Sequence, residues 1–308
     1  MKDVLASLLY LLAAAAGRLP WAWSNALGDG VAALWRRLDA REARVARRNL
    51  ELAFPAMAEA EREALQRRIL RTTARQALET LRLWTRPHAT NLALIRETHG
   101  TALFDAAIAA GEGVIVAAPH YGNWELLNQW LASRTPISVL YRPPESAVGE
   151  AFLQRVRADS AGRVTQVPAE GAAVRRLLRV LQDGGVVGIL PDQQPKAGEG
   201  VFAPFFGKPA LTMALLPRLA ARTRAKVLLA YCERLATDGA APAFALRIEA
   251  APEAVGTDDT VAGATALNAA IEAIARRDPA QYQWTYKRYT LRPPGSGETN
   301  PYRDLERH

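Results

Sequence analysis

The pattern of apolar and polar positions divides the chain into a helical first third and an alternating remainder. From residue 101 to residue 290, short apolar runs rich in β-branched residues alternate with amphipathic helical stretches. The runs predict strands at 114–118, 137–141, 164–167, 186–190, 226–231 and 244–248. The intervening pattern predicts helices at 101–110, 124–132, 147–159, 172–182, 211–223 and 261–277. This alternation predicts an α/β fold with a mostly parallel sheet flanked by helices.

The first 100 residues carry helical patterns. Residues 4–17 are uncharged, but 14 residues are fewer than the roughly 20 that a membrane-spanning helix needs. Trp21, Trp23 and Trp35 precede a cluster of arginines, a combination typical of a membrane–water interface. We therefore expect residues 1–40 to form a membrane-docking hairpin anchored by its hydrophobic segment. A true span, a buried core hairpin and a cleaved signal peptide stay open as alternatives.

The remaining boundaries follow from composition. Residues 41–100 are expected to form helices that pack on the α/β domain of residues 101–290. A loop of 20 residues is expected after the strand at 186–190, and loops of that length in compact domains are often functional. Residues 291–308 begin with a polar stretch rich in proline and glycine, which predicts a loose C-terminal tail.

The net charge and the cysteine content exclude few classes of protein. The 308-residue chain has a net charge of +8, and just five of its 39 basic residues are lysines. The arginine excess fits recognition of phosphate or carboxylate groups, and it equally fits a GC-rich genome. The single cysteine, Cys232, allows no intramolecular disulfide and no thiolate metal cluster.

The candidate chemistry centres on His120, which follows the first apolar run and its terminating Pro119. Glu125 lies five residues on, which on a helix would place the two side chains about 140° apart. They can meet if His120 lies in a turn before the helix, and Gly122-Asn123 favours such a turn. A carboxylate-held imidazole is a suitable general base near neutral pH. The alternative is a structural histidine satisfied by a local hydrogen bond.

Several common enzyme classes are excluded by their missing motifs. The sequence has no G-x-S-x-G elbow, phosphate-binding P-loop, H-E-x-x-H or C-x-x-C pattern. Among the four histidines, His120 is the one expected at a strand end. Arg142 and Asp192 also follow predicted strands, and parallel strands gather such residues in one cleft. Phe205 and Phe206 predict either an apolar wall or lid for a lipid chain or a cap on the core.

Five ordered motifs carry a family resemblance over roughly residues 1–292. The segment His-Tyr-Gly-Asn-Trp-Glu at 120–125 resembles the H-x4-D/E motif of glycerolipid-type acyltransferases. With Tyr-Arg-Pro at 141–143, Asp-Gln at 192–193, Phe-Phe-Gly at 205–207 and Gln-Trp-Thr-Tyr-Lys-Arg at 283–288, it resembles the late lipid A acyltransferases. Those are the lauroyl and myristoyl acyltransferases of Gram-negative inner membranes.

The resemblance implies that an acyl chain passes from acyl-carrier protein to a hydroxyl or hydroxyacyl group of a lipid A precursor. The expected location is the cytoplasmic face of the inner membrane, with no cofactor, no metal and no nucleic-acid partner. By the same resemblance, His120 is the base and Glu125 its orienting carboxylate. The expected substrate-binding residues are Arg142, Asp192, Gln193, Asn123, Lys287 and Arg288. The expected acyl-chain or lid residues are Phe205, Phe206 and Trp124.

Several roles and functions stay open. Arg142 would neutralise an acceptor phosphate or carboxylate, or be a surface residue; Asp192 would bind sugar hydroxyls or support Arg142. Lys287 and Arg288 would bind a headgroup or the acidic carrier protein, or would be solvated. The backbone N–H groups of Gly122 and Asn123 are candidate oxyanion donors. Alternative functions are acylation of another glycolipid or aminolipid, hydrolysis of lipid thioesters, and non-catalytic lipid or carrier-protein binding.

Overall fold

A seven-stranded sheet forms the centre of the protein in a computed structural model that describes residues 2–144, 146–156, 162–169 and 171–306. Its strands are β1 (Ile95–His99), β2 (Val114–Ala117), β3 (Ile137–Tyr141), β4 (Val164–Pro168), β5 (Val186–Ile189), β8 (Lys226–Leu235) and β9 (Ala243–Ala250). A separate hairpin comprises β6 (Gly200–Phe205) and β7 (Lys208–Met213).

The sheet has the order β1-β9-β8-β2-β5-β3-β4 and is mostly parallel. Strands β8, β2, β5, β3 and β4 run in one direction, so their carboxyl ends lie at the same edge. Strand β9 is antiparallel to β8, and β1 is parallel to β9. The predicted α/β class with a mostly parallel sheet is therefore confirmed.

Helices cover the sheet and build the first third of the chain. They are α1 (Lys2–Ala16), α2 (Trp21–Arg37), α3 (Arg41–Ala53), α4 (Glu59–Thr85), α5 (His88–Leu92), α6 (Thr101–Ala110), α7 (Trp124–Arg134), α8 (Ala147–Val156), α9 (Ala173–Gln182), α10 (Leu215–Thr223) and α11 (Thr260–Arg277). Short 3₁₀ turns follow at Glu253–Gly256, Pro279–Gln281 and Arg303–Glu306.

Strand β2 shows how one apolar run serves two cores. Ile115 and Ala117 belong to the cluster that contains residues of α3, α4, α9 and α11. Val114 and Val116 belong to the second cluster, with residues of α6 and α7. Alternate side chains of a strand point to opposite faces, so a strand covered on both faces is apolar throughout. This burial on both faces explains why the apolar run at 114–118 predicted a strand.

Three sequence-based element predictions need correction. The expected 20-residue loop contains the first strand of the β6–β7 hairpin, because two adjacent extended segments pair with each other there. The helix expected from residue 211 begins at Leu215, since residues 211–213 belong to β7. Strand β1 was not predicted. The end of the helix expected at 147–159 lies outside the described residues, which reach residue 156 in this helix.

The C-terminal segment contacts α3 near its end, whereas residues 294–299 are exposed. Tyr302 is fully buried, and its hydroxyl donates a hydrogen bond to Oδ1 of Asn49 on α3. Arg48 of the same helix pairs with Asp304 at 2.8 Å. The composition of residues 293–301 did not predict this contact. A single buried aromatic ring can hold a polar segment in place.

Helices α1 and α2 leave many large apolar side chains in solvent. The most exposed of them include Val4, Leu8, Leu11, Leu12 and Trp23. Within the described residues, no single helix has both the length and the apolar content needed to cross a membrane. Helices α1 and α2 meet that criterion as a pair, with a bend of 110° between them.

Candidate active site

His120 and Asp192 lie together at the carboxyl edge of the sheet. They follow β2 and β5, which are neighbouring parallel strands with Ala117 beside Ile189. Nδ1 of His120 is 2.7 Å from Oδ1 of Asp192, and the His120 backbone N–H donates to Oδ2 at 2.8 Å. An ionised carboxylate only accepts hydrogen bonds, so Nδ1 carries a proton, and in the neutral imidazole the lone pair is then on Nε2. This tautomer is the one that a general base needs.

Asp192 is held in its ionised form inside the protein. Burial opposes its ionisation, but the charge and hydrogen bonds of His120 outweigh burial and lower the pKa of Asp192 below its ordinary value. Tyr282 lies beside this carboxylate. Burial and the charge of Asp192 raise the pKa of Tyr282 well above its ordinary value, so the phenol stays protonated as a donor. Asp192 therefore stays ionised, and its two hydrogen bonds fix the orientation of His120.

The segment between β2 and α7 is bound on two sides. On one side the Asn123 N–H donates to the Cys232 carbonyl of β8 at 2.9 Å. On the other, the Gln283 N–H donates to the His120 carbonyl at 3.1 Å. Gly122 has a φ of +61°, and a Cβ there would lie 1.9 Å from the Cys232 oxygen. Glycine is required at this position, and the backbone that carries the base has little freedom to move.

Asn123 has a structural role in this arrangement. Its side chain caps α7 by accepting from the Leu126 N–H at 3.0 Å. The Gly122 N–H donates to the Gln281 carbonyl, and the Asn123 N–H donates to Cys232. The prediction that these two N–H groups hold an oxyanion is therefore wrong, because both are already bonded within the fold. Substrate binding by the Asn123 side chain, which is buried, stays a prediction.

An ion cluster around the buried Glu233 lies directly behind His120. The Tyr121 hydroxyl donates to Oε1 of Glu233 at 2.9 Å. Arg247 and Arg277 donate to the same carboxylate at 2.5 and 2.9 Å. Burial opposes ionisation of Glu233, but the hydrogen bonds from Arg277, Arg247 and Tyr121 lower its pKa to about 2. No sequence motif predicts this cluster, because its members come from distant segments of the chain.

Gln193 occupies the other side of the imidazole. Its Nε2 lies 3.2 Å from Nε2 of His120 and donates to Oε1 of Gln283 at 3.1 Å. Gln283 was not singled out as a site residue in the sequence, although it lies in the motif at 283–288. The amide pair leaves Nε2 of His120 in contact with a neutral hydrogen-bond donor.

His120 and Trp124 border two cavities, with the Trp124 ring edge-on to the imidazole at 5.0 Å between centroids. The larger cavity measures about 360 Å³ and extends past β3 and α8. The smaller measures about 290 Å³ and lies between α4 and residues 280–283. Trp84 contributes to both walls. His120 therefore faces two separate spaces.

Four predicted site residues lie with His120 in the wall of the larger cavity: Glu125, Arg142, Gln193 and Trp124. Glu125 is buried in the first turn of α7, whereas Arg142 is exposed. The carboxylate seen on Nδ1 belongs to Asp192, for which the sequence suggested sugar hydroxyls or Arg142 as partners. A role of Glu125 in orienting the imidazole stays a prediction, as does substrate binding by Arg142.

The C-terminal basic pair divides into a buried and a half-buried residue. Arg288 is buried and donates to the Leu211 carbonyl at 2.6 Å and to the Thr212 hydroxyl at 2.9 Å. It anchors β7, and the expected binding of a headgroup or carrier protein by Arg288 stays a prediction. Lys287 is half-buried, and its substrate role stays a prediction.

Phe205 and Phe206 form part of the core, with 1% and 4% of their surfaces exposed. Phe206 packs against Phe54 and Trp284, with ring centroids 5.4 and 5.1 Å away. A lid must move through solvent, which these rings do not reach. The lid interpretation therefore gives way to the alternative of a core cap.

Two further histidines alter the sequence-based picture. His99 ends strand β1, so His120 is not the sole histidine at a strand end. Because β1 runs opposite to β2, His99 lies at the other edge of the sheet, where it is exposed. His88 lies in the wall of the larger cavity together with Lys196. No sequence signal separated either residue from ordinary surface positions.

Within the described part of the chain, no group of three or more His, Cys, Asp or Glu side chains is placed to hold a metal ion.

Comparisons with known proteins agree with this geometry. Residues 2–290 match the family model of the bacterial lipid A biosynthesis acyltransferases. The chain is 26% identical to the lipid A biosynthesis lauroyltransferase of Escherichia coli (strain K12) over 282 residues, 90% of this chain and 89% of that protein. It is 26% identical to the palmitoleoyltransferase of the same organism over 278 residues, 90% and 88% of the two chains.

A shorter match is to an acyltransferase named for a different glycolipid. The chain is 28% identical over 130 residues to a phosphatidylinositol mannoside acyltransferase of Mycobacterium tuberculosis (strain CDC 1551 / Oshkosh), covering 42% of this chain and 41% of that protein. The family match spans nearly the whole chain, and it includes every residue of the His120 site described above. The chain is an acyltransferase and belongs to the bacterial lipid A biosynthesis acyltransferase family.

Proposed function

We propose that this protein moves a fatty acyl chain from acyl-carrier protein to a hydroxyl or hydroxyacyl group of a lipid A precursor. The observation that carries the proposal is the His120–Asp192 pair at the junction of two cavities. An acyl transfer brings an acyl thioester and a hydroxyl to one base. Two spaces that meet at one imidazole suit such a two-substrate reaction.

His120 acts as the general base in this mechanism. Its Nε2 takes the proton of the acceptor hydroxyl while the hydroxyl oxygen attacks the thioester carbonyl. Asp192 accepts the hydrogen bond from Nδ1–H and stabilises the imidazolium. General base catalysis typically raises the reaction rate roughly 10²–10⁴-fold. The thiolate then leaves and takes the proton from the imidazolium. The thioester is already activated, so no covalent acyl-enzyme is needed.

The two cavities differ in their walls in a way that suggests which substrate each receives. Arg142 and Lys196 give the larger cavity two exposed cations, which suit the phosphate or carboxylate groups of a glycolipid. The smaller is walled largely by aliphatic and aromatic carbon, including Ala77, Leu81 and Tyr282. An acyl chain gains most from such a wall. We assign the glycolipid to the larger cavity and the acyl chain to the smaller.

Helices α1 and α2 would place the site at the cytoplasmic face of the inner membrane. Helix α1 packs against α8, where Arg155 donates to the Ser7 hydroxyl at 2.7 Å. Helix α8 also contributes Leu153 and Val156 to the larger cavity. The exposed leucines of α1 are thus one helix away from the space assigned to the glycolipid. Docking α1 in the lipid headgroup region would let an acceptor enter the site from the membrane.

The test is transfer of a radiolabelled lauroyl chain from acyl-carrier protein to a Kdo-bearing lipid A precursor. We expect the wild-type chain to form the acylated product and His120→Ala to retain less than a tenth of the rate, with an unchanged unfolding temperature. Activity above a tenth in the folded variant would remove His120 as the base. Free fatty acid as the sole product would instead indicate a thioester hydrolase.

Acylation of another glycolipid is the second candidate. The partial match to the phosphatidylinositol mannoside acyltransferase favours it, because that protein acts on a mannosylated inositol lipid. Mass spectrometry of lipid A with and without the protein separates the two candidates. A mass shift of one acyl chain supports the lipid A acceptor, and an unchanged lipid A favours a different glycolipid.

A further inference from the structure

We infer that the side-chain amide of Gln193 is the hydrogen-bond donor that stabilises the oxyanion during acyl transfer, and that Gln283 holds this amide in position. The inference rests on the acyl transfer proposed above. It assigns Gln193 a role in the chemical step itself, beyond general contact with substrate.

The orientation of the Gln193 amide follows from the tautomer of the base. Asp192 fixes the proton on Nδ1 of His120, so Nε2 presents a lone pair. The group 3.2 Å from Nε2 must then be a donor, which makes it the NH₂ of Gln193. Its second N–H reaches Oε1 of Gln283 at 3.1 Å. The reverse orientation would put the Gln193 oxygen against the Nε2 lone pair, an arrangement without a hydrogen bond.

The fold leaves a need for this donor. A tetrahedral intermediate requires a preorganised donor where its negative charge develops. The N–H groups of Gly122 and Asn123 are bonded to the Gln281 and Cys232 carbonyls, so they do not serve. The Gln193 amide lies next to the atom that takes the acceptor proton, and hence next to the reacting carbonyl.

Gln283 ties this donor to the base. Its backbone N–H donates to the His120 carbonyl at 3.1 Å, while its side-chain oxygen accepts from Gln193. The imidazole and the amide are thereby fixed to one short segment. Donors held in this way need little reorganisation when charge develops, which is the source of their catalytic effect.

The reaction sequence accounts for every proton and bond. The acceptor hydroxyl displaces Gln193 from Nε2 and donates its own hydrogen bond there. As the new C–O bond forms, the hydroxyl proton passes to Nε2 and the carbonyl electron pair moves to oxygen. The released N–H of Gln193 binds that oxyanion while the other stays on Gln283. Collapse re-forms the carbonyl and breaks the C–S bond, and the thiolate takes the proton from His120.

The first experiment measures steady-state kinetics of the full chain in mixed micelles, with lauroyl-acyl-carrier protein and a Kdo-bearing lipid A precursor as probes. For Gln193→Ala we expect kcat to fall about 10²–10³-fold, the loss typical of one oxyanion donor, with KM for both substrates within threefold. The unfolding temperature is expected to equal that of the wild type. A structural role for Gln193 would instead lower the unfolding temperature.

Two further variants sharpen the test. Gln193→Glu keeps the size but replaces donors by a carboxylate, so we expect a loss at least as large and an acidic limb of the kcat/KM pH profile moved to higher pH. Gln283→Ala removes the partner that orients the amide, for which we expect an intermediate loss of about tenfold. Gln154→Ala, an exposed glutamine on α8, is the matched truncation and is expected to keep the wild-type kcat.

The outcomes separate this inference from the proposed function. A wild-type chain that transfers no acyl group to the precursor overturns the proposed function. A wild-type chain that does transfer it, together with a folded Gln193→Ala variant that keeps more than a third of kcat, overturns the role of Gln193 alone. A change in KM with kcat preserved would also overturn it, by showing uniform binding rather than oxyanion stabilisation.

Discussion

The segment that carries His120 and the N-terminal helix α1 are opposites in how they meet their surroundings. The first is bonded on both sides, and Tyr121 beside the base is fully buried against an ion cluster. The second presents a stripe of leucines to solvent, with Leu8 and Leu12 53% and 59% exposed. At the proposed chemical centre the side chains of His120 and Asp192 are only 11% and 2% exposed, whereas burial at the N-terminus is far less complete.

This difference indicates two separate functions of burial. At His120, burial fixes an imidazole, a carboxylate and an amide, since catalysis needs groups that do not reorganise. At α1, the missing burial is what a membrane would supply, because exposed apolar stripes of this kind mark interaction surfaces. Changes at the first region should affect the rate or the fold. Changes at the second should affect association alone.

The largest expected effect separates the two carboxylates near the base. In Asp192→Asn the amide can donate to Nδ1 and so stabilise the wrong tautomer, for which we expect kcat to fall roughly 10³–10⁴-fold. Glu125→Gln is expected to cost less, because Asp192 contacts Nδ1. The check is kcat in the acyl-transfer assay, with Asp105→Asn on the exposed part of α6 as control. If Glu125→Gln costs more than Asp192→Asn, the orienting role belongs to Glu125.

The second effect concerns the fold of the same segment. Gly122→Ala would place a methyl group 1.9 Å from the Cys232 oxygen at a φ of +61°, so the backbone must move away from β8. We expect a loss of about 3 kcal/mol or more in the free energy of unfolding, measured by urea denaturation. Gly111→Ala is the matched control, because its φ is +68° but no atom lies within 4 Å. It should lose about 1 kcal/mol from backbone strain alone.

An equal loss in the two glycine variants would show that contact with β8 does not hold the base segment.

Some elements of the fold could be predicted from the sequence because a local pattern marks them, and others could not because distant contacts define them. Strand β2 was readable because Val114–Ala117 is buried on both faces and therefore apolar throughout. Strand β1 was missed because four of its five residues are exposed and polar or charged, and it pairs with β9 alone. The β6–β7 hairpin was missed because Pro204 and Pro209 argue against strands, although edge positions tolerate proline.

Prediction of the site had the same limit. The sequence placed His120 and Asp192 at strand ends, but not the order of the strands. Their contact depends on β5 lying beside β2, and the two residues are separated by 72 positions in the chain. Phe206 and Arg288 looked functional because large aromatic and charged residues are so often found in sites. Tertiary packing, which no local pattern encodes, placed both in the core.

A smaller effect is expected from the ion cluster behind the base. Glu233→Gln removes the charge that pairs with Arg247 and Arg277, for which we expect a loss on the order of 3 kcal/mol in the free energy of unfolding at pH 7. The pKa of Glu233 is lowered from 4.5 to about 2 by folding. Its contribution is therefore complete above pH 4.5 and lost as the pH falls toward 2.

Urea denaturation at pH 7, 5, 4 and 3 checks this prediction, with the exposed Glu97→Gln as the matched control. The wild type should lose stability between pH 5 and 3 more steeply than Glu233→Gln, and the two curves should converge. Parallel curves would show that Glu233 does not carry the pH dependence assigned to it.

The smallest effect concerns α1 and tests the other half of the comparison. Leu8→Ser with Leu12→Ser removes two half-exposed apolar side chains, each worth on the order of 1 kcal/mol in transfer to a membrane. We expect binding to vesicles of phosphatidylethanolamine and phosphatidylglycerol, measured by co-sedimentation, to weaken roughly 10–30-fold at an unchanged unfolding temperature.

Leu103→Ser on α6 is the matched control, because this leucine is 44% exposed and lies away from α1. It should bind vesicles like the wild type. If the α1 variant also keeps wild-type binding, the exposed stripe does not face a membrane. A lower unfolding temperature in the α1 variant would show instead that Leu8 and Leu12 stabilise the fold. The exposed residues of α1 would then have no docking function to set against the catalytic function of the buried His120 segment.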